Sequence, residues 1–247
     1  LTEAAARKAA MKPTITTPLG QTLVLVDPSV ETLNPFTMGA SRRDPGRRAN
    51  EVEHPVELRR AFYMASTETT NAQFRQYEAT HDSGLIESYS LDRDHQPAAG
   101  ISWQQAASFC NWLSGLEGLP PFYRENQGII IGFNPSSTGY RLPSGAEWAF
   151  AARVDGNALR RFAWGDDFPP SAVVTNVADN TSALVTGRIL NGYTDQAVVS
   201  APVGSFPANH RGLHDIGGNV AEWVHDGYAI PSPNAELAID PLGAQRG

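Results

Sequence analysis

Between residues 166 and 200 the chain carries neither the apolar period of a helix nor the alternation of a strand. A polar, irregular stretch of that length is uncommon inside a compact domain unless something holds its turns in place. A bound ion is one physical answer, because ligands far apart in sequence then share one anchor. The framework around such a segment is expected to be loop-rich. The 22 glycines and 18 prolines among 247 residues agree, and they point to an irregular α+β domain and away from a helical bundle.

Ahead of that segment the local signals are clearer. Thr22–Val26 (TLVLV) reads as a buried strand, Phe36 and Met38 as an inward pair, and His54–Tyr63 as an alternating strand. Three helix starts follow, each a capping box: Thr70 with Gln73, Ser102 with Gln105, and Ser144 with Glu147. In each, the hydroxyl accepts from a free first-turn amide while the Gln or Glu reaches back. Apolar side chains sit at helical spacing behind them: Phe74 and Tyr77; Ala106, Phe109, Cys110, Leu113 and Leu116; Trp148, Ala151 and Ala152. After the irregular segment, Ala201–Phe206 reads as a short strand or extended run. Residues 1–13 have helix-favouring composition closed by Pro13, so residues 1–20 are expected to be a linker or the tail of an upstream segment, with the domain at 21–247.

The stretch Gly212-Leu213-His214-Asp215-Ile216-Gly217-Gly218-Asn219-Val220-Ala221-Glu222-Trp223 places two carboxylates, Asp215 and Glu222, around a Gly-Gly pair that lets the backbone turn. Read as an extended run beyond the glycines, it gives Gly218, Val220 and Glu222 the same parity. Two carboxylates and a few carbonyls are an all-oxygen set, suited to a hard cation such as Ca²⁺ and not to zinc or copper. A Gly-rich turn with exposed acids explains the same spacing, and the spacing leaves both readings open.

This motif resembles the signature of the formylglycine-generating enzyme (sulfatase-modifying factor) family. The same order of matching pieces runs along the chain: Phe36–Gly39, Glu68–Phe74, Ile101–Trp103, Phe109–Ser114, Tyr140–Ser144, Ala146–Trp148, Ala151–Arg153, Trp164–Asp166, Ala201–Gly204, and Gly218–Val220 with Glu222-Trp223. The resemblance implies a C-type-lectin-like α+β domain with little regular structure. It also implies two structural calcium sites. One would use the Asn176 side chain, the Val177 carbonyl, the Asp195 side chain and the Ala197 carbonyl. The other would use the Asp215 side chain, the Gly218 and Val220 carbonyls and the Glu222 side chain. Two departures stand out: the family's usual D-G-Y/F reads Asp195-Gln196-Ala197, and Gly145 stands where the family usually has Glu in the first turn of a helix.

In the oxidase branch of the family, two cysteines near the C-terminus bind copper(I) and oxidise a substrate cysteine, and soft thiolates suit that ion. Cys110 is the only cysteine here and sits on an apolar helical face, as an inert core residue would. The domain is therefore read as lacking its C-terminal segment, with copper, and oxidoreductase activity on a protein cysteine, expected only if that segment supplies the pair. As it stands the chain is expected to be a calcium-stabilised binding or accessory module of a larger, bacterial-type polypeptide, with a protein or peptide as partner. The alternatives are the copper-dependent oxidase that makes formylglycine in sulfatases, and a ligand-display scaffold like the variable proteins of retroelements.

Other chemistry finds little support. His210, His214, His225 and Asp226 are near in sequence, but the Gly, Pro and Asn around them disfavour the helix that would align an i, i+4 pair. No serine has the strand–turn context of a hydrolase nucleophile. A net charge of −7 argues against nucleic acid as the main partner, and Arg42, Arg43, Arg47 and Arg48 read as a solvated basic loop. No apolar run is long enough to span a bilayer. An extracytoplasmic compartment is the expectation, since calcium is plentiful there.

Overall fold

The computed structural model describes residues 11–187 and 189–243. Its strands are short and fall into two three-stranded sheets and three small hairpins. Strands β1 (Thr14–Thr16), β2 (Thr22–Val26) and β5 (Phe62–Ala65) form one sheet in that order, with Thr14 opposite Val24 and Leu25 opposite Tyr63. β3 (Phe36–Met38) and β4 (His54–Glu57) form the other, joined in parallel by β8 (Ala238–Ile239) from the far end of the chain. The first sheet thus starts at Thr14, inside the stretch expected to be a linker to residue 20. The expectation for residues 1–10 lies outside the described residues, as does the end of the expected domain at 244–247.

All three capping boxes form, with hydroxyl and amide partners in place. Helix α1 (Asn71–Phe74) is a single turn, α2 (Trp103–Leu116) is the long helix, and α3 (Gly145–Arg153) is the central one. In α3, Glu147 closes the box on the Ser144 amide and also takes a two-pronged ion pair from Arg141 at 2.6 and 2.7 Å. Gly145, where the family pattern has an acid, donates its amide to the Asp226 carboxylate at 2.5 Å. Negative charge therefore still reaches this helix start, from a loop 81 residues away.

The main core explains the order of the layers. Ala146, Ala149, Phe150, Ala151 and Ala152 on α3 pack against Val24 and Val26 of the first sheet and Phe36 and Val56 of the second. Small alanines let α3 approach closely, and Phe150 fills the remaining gap edge-on to Phe36 at 5.5 Å. Leu213 and Ile216 enter this core from the Gly-rich motif, so the motif is pinned to α3 on both sides of Asp215. A second cluster joins α2 to the hairpin β6 (Tyr123–Asn126) and β7 (Ile129–Phe133) through Ala107, Cys110, Phe122 and Tyr123.

Three strand expectations are corrected. The run His54–Tyr63 divides between two sheets, because Leu58 turns inward and Asn34 and Asp240 take the amides of Leu58, Arg59 and Arg60. Ala201–Phe206 forms no strand; Gly204 has φ 74° and Val203 donates to the His95 carbonyl. Asn219–Trp223 is not extended either. Asn219 sits in the left-handed region at φ 63°, so the parity argument for Gly218, Val220 and Glu222 does not hold.

Candidate metal centre

The irregular segment is held by its own buried polar side chains. Asp179, fully buried, accepts from the amides of Thr181, Ser182 and Asp195. The Tyr193 hydroxyl donates to the Thr175 carbonyl at 2.7 Å and accepts from the amides of Val174 and Thr175. Charge-assisted hydrogen bonds of this kind replace a ladder where the chain has none. Nothing in the spacing marked Asp179 or Tyr193 as anchors.

The residues expected at the first site are gathered around Asp195. Its carboxylate accepts from the Val177 amide at 2.9 Å and from the Ala197 amide at 2.8 Å. Burial pushes the Asp195 carboxyl above the usual carboxylate range; these two amides oppose the rise and Asp179 adds to it. The Asn176 side-chain nitrogen donates to Val199 and Asn219, which leaves its oxygen as the atom not drawn into those bonds. The carbonyls of Val177 and Ala197 accept no hydrogen bond from a described residue.

The second site is built differently. Asp215, in the left-handed region at φ 58°, accepts the Gly204 amide on Oδ2 at 2.6 Å, while its buried Oδ1 has no partner. Glu222 is exposed as a residue, and its carboxyl group, crowded by the packed chain on one side, accepts from the Trp148 indole nitrogen. Burial raises it to about 7, the indole opposing and Asp215 adding to the rise. The Gly218 carbonyl is taken by the Val220 amide in a tight turn, and the Val220 carbonyl accepts from no described residue.

Glu68, three residues beyond β5, joins this place and is not among the expected ligands. Its Oε1 accepts from Asn219 at 2.9 Å and its buried Oε2 has no partner. Desolvation lifts its carboxyl to about 7, and the charges of Asp215 and Glu222 push in the same direction. Thr175 Oγ1 is a third buried oxygen without a partner. A Cβ on Gly218 would overlap that hydroxyl and the Asn176 carbonyl oxygen, so only glycine fits.

Asn219 ties the two sites together. Its amide donates to the Asn176 carbonyl at 2.9 Å, and its side-chain oxygen accepts from the Asn176 side chain at 3.1 Å and the Ala201 amide at 2.8 Å. Its side-chain nitrogen serves Glu68 and the Ala201 carbonyl. The left-handed backbone at Asn219, a conformation asparagine tolerates, makes this reach feasible.

Among the described residues no three His, Cys, Asp or Glu side chains are gathered as a ready metal-binding group. A cation here would draw on carbonyl and hydroxyl oxygens as well as carboxylates, as Ca²⁺ does and zinc does not. Unpartnered buried acceptors at the second site, and free carbonyls beside a carboxylate at the first, fit such an ion. The histidines serve elsewhere. His214 meets the Phe206 carbonyl at 2.8 Å, and His225 lies buried among Trp103, Phe122, Tyr123 and Phe133. Cys110 is buried, which pushes its thiol up to about 12 and leaves it unreactive. Next to the second site a cleft of about 460 Å³ is lined by Trp164, Asn209, His210, Leu213, Asp215 and Gly217 among others. No helix among the described residues is long and apolar enough to cross a membrane.

Comparison with known proteins gives the family and the fold. A chaperone protein LppX of Paenibacillus barcinonensis is 28% identical over 188 residues, covering 69% of this chain and 64% of that one. A formylglycine-generating enzyme of Mus musculus is 28% identical over 237 residues, covering 86% of this chain and 61% of that one. The chain therefore spans less than two thirds of the length of either relative. In structure, Treponema denticola variable protein 1 superposes with a TM-score of 0.73 at 21% identity, covering 95% of this chain and 84% of that one. Such a likeness shows the fold, an α+β arrangement with little regular secondary structure. The family model described as sulfatase-modifying factor enzyme 1-like domain matches residues 30–236, most of the chain, and the protein belongs to that family.

Proposed function

We propose that this chain is a calcium-braced binding module of its family, with a protein or peptide as ligand. The observation that carries the reading is the set of three buried oxygens without partners: Glu68 Oε2, Thr175 Oγ1 and Asp215 Oδ1. Each such atom destabilises a folded domain by about 1–3 kcal/mol unless something satisfies it. A hard cation bonded to oxygens at the second site would do so, and a second cation on Asn176, Val177, Asp195 and Ala197 would brace the irregular segment. Which residues hold each ion is part of the proposal. The braced loops would frame the cleft beside Asp215 for a ligand.

The test is a melting curve of the purified chain with chelator and with added Ca²⁺. Ligation to the folded state alone requires the melting temperature to fall on chelation and recover on addition. Identical curves would sink the reading.

Two further readings have specific support. Several relatives are formylglycine-generating enzymes by name. The oxidase reading would need a copper-binding cysteine pair outside these 247 residues, which contain one cysteine. A display scaffold draws support from the fold shared with a variable protein. Activity toward a cysteine-containing sulfatase peptide by the full-length product separates the first from the binding module. An extracytoplasmic setting follows from the need for calcium and is tested by locating the protein in fractionated cells.

A further inference from the structure

Thr175 is clamped on both sides of its backbone by one side chain. Its backbone amide and carbonyl both bond the Tyr193 hydroxyl, at 3.2 and 2.7 Å, and the residue is 2% exposed. Its β-branched side chain has few rotamers to choose from once the backbone is fixed. The hydroxyl so positioned nevertheless meets no hydrogen-bond partner. It lies over Gly218, whose missing Cβ leaves the space that it fills, one residue from the Asn219 amide that binds the Asn176 carbonyl.

A buried hydroxyl held this rigidly, with no hydrogen-bond partner among the described residues, has the character of a neutral oxygen ligand for a hard cation. Ca²⁺ takes six to eight oxygens, and its neutral ligands are hydroxyls, amides and carbonyls alike. The carboxylates alone do not supply that number here, since among the described residues no three of them gather. The geometry points to Thr175 Oγ1 as a ligand of the second-site cation, which makes the adjacent pair Thr175-Asn176 serve both sites, the hydroxyl at one and the Asn176 side chain at the other. This rests on the cation reading above.

The test compares the wild-type chain with Thr175→Val, Thr175→Ala and Thr175→Ser, titrating Ca²⁺ by calorimetry and melting each protein in chelator. Valine replaces the hydroxyl by a methyl of the same size, and alanine gives the same reading should valine pack poorly. Loss of a ligand is expected to weaken Ca²⁺ binding roughly tenfold or more in both, while serine, which keeps the hydroxyl, stays near wild type. In chelator, Thr175→Val is expected to melt higher than wild type, because an unpaired buried hydroxyl is gone. Two effects of opposite sign are what a hydroxyl bonded only to protein or water would not produce. Unchanged Ca²⁺ affinity in Thr175→Val and Thr175→Ala, or a lower melting temperature of Thr175→Val in chelator, overturns the assignment and leaves the cation reading standing. A wild-type chain that takes up no Ca²⁺ overturns both.

Discussion

The two candidate sites stand side by side and are built on opposite principles. Around Asp195 the protein satisfies its own carboxylate, one oxygen for each of the Val177 and Ala197 amides. Around Asp215 it leaves oxygens on Asp215, Glu68 and Thr175 buried and unpaired. The first place is self-supporting; in the second, buried acceptors find no partner among the described residues. The lesson is that similar ligand sets need not depend equally on an ion, because what counts is which acceptors the backbone has already claimed.

Substitutions can break that contrast. The largest effect belongs to Gly218→Ala, whose methyl would overlap the Thr175 hydroxyl and the Asn176 carbonyl, a backbone atom that cannot rotate away. Overpacking of this kind is expected to cost about 3 kcal/mol and to lower the melting temperature by about 10 °C, with or without calcium. A melting curve checks it, and a tolerated alanine would mean that the close approach of the two loops is not needed.

Next comes Asp195→Ala. It strands two amides, and a loss of about 2 kcal/mol is expected even in chelator, since Asp195 works there without an ion. Asp215→Asn should behave in the opposite way. In chelator it removes a charge that burial disfavours, so the melting temperature holds or rises, while most of the gain from Ca²⁺ disappears. If Asp195→Ala were silent in chelator, or Asp215→Asn left the calcium response intact, the contrast would fail.

The smallest effect is with pH. Glu68 and Glu222 are raised from 4.5 to about 7 in the ion-free fold. Carboxylates raised on folding add stability that is present below their ordinary pKa and lost as pH climbs through the raised value. The chelated protein is therefore expected to melt a few degrees lower at pH 8 than at pH 5. The gain from Ca²⁺ should grow over the same interval, because the ion binds the ionised forms. A flat profile in chelator would contradict the burial of these two groups.

The legible part of this molecule is the part governed by short range. Ser102 and Ser144 announce their helices because a cap and its partner lie three residues apart, and the structure keeps both. Glu68 falls within one of the matching pieces, yet no local spacing marks it as part of a site, since its neighbours there, Asn219 and Asp215, are some 150 residues away in sequence. Asp179 and Thr175 were invisible for the same reason: burial, which gives a polar side chain its significance, is a property of the packed chain. The misread extended run at Asn219–Trp223 has a related cause. Alternation on paper assumed a strand, whereas Asn219 takes a left-handed turn to reach Asn176, Glu68 and Ala201 together.

Amide hydrogen exchange on the chelated and calcium-loaded chain tests the central claim most directly, because it reads both sites in one protein. The account predicts that calcium slows exchange most at Gly218 and Asn219, whose amides bond the Asp215 and Asn176 carbonyls in the turn beside the unpartnered oxygens, and changes the amides of Val177 and Ala197, which bond the Asp195 carboxylate, much less. Equal slowing at both places, or none at Gly218 and Asn219, would contradict it.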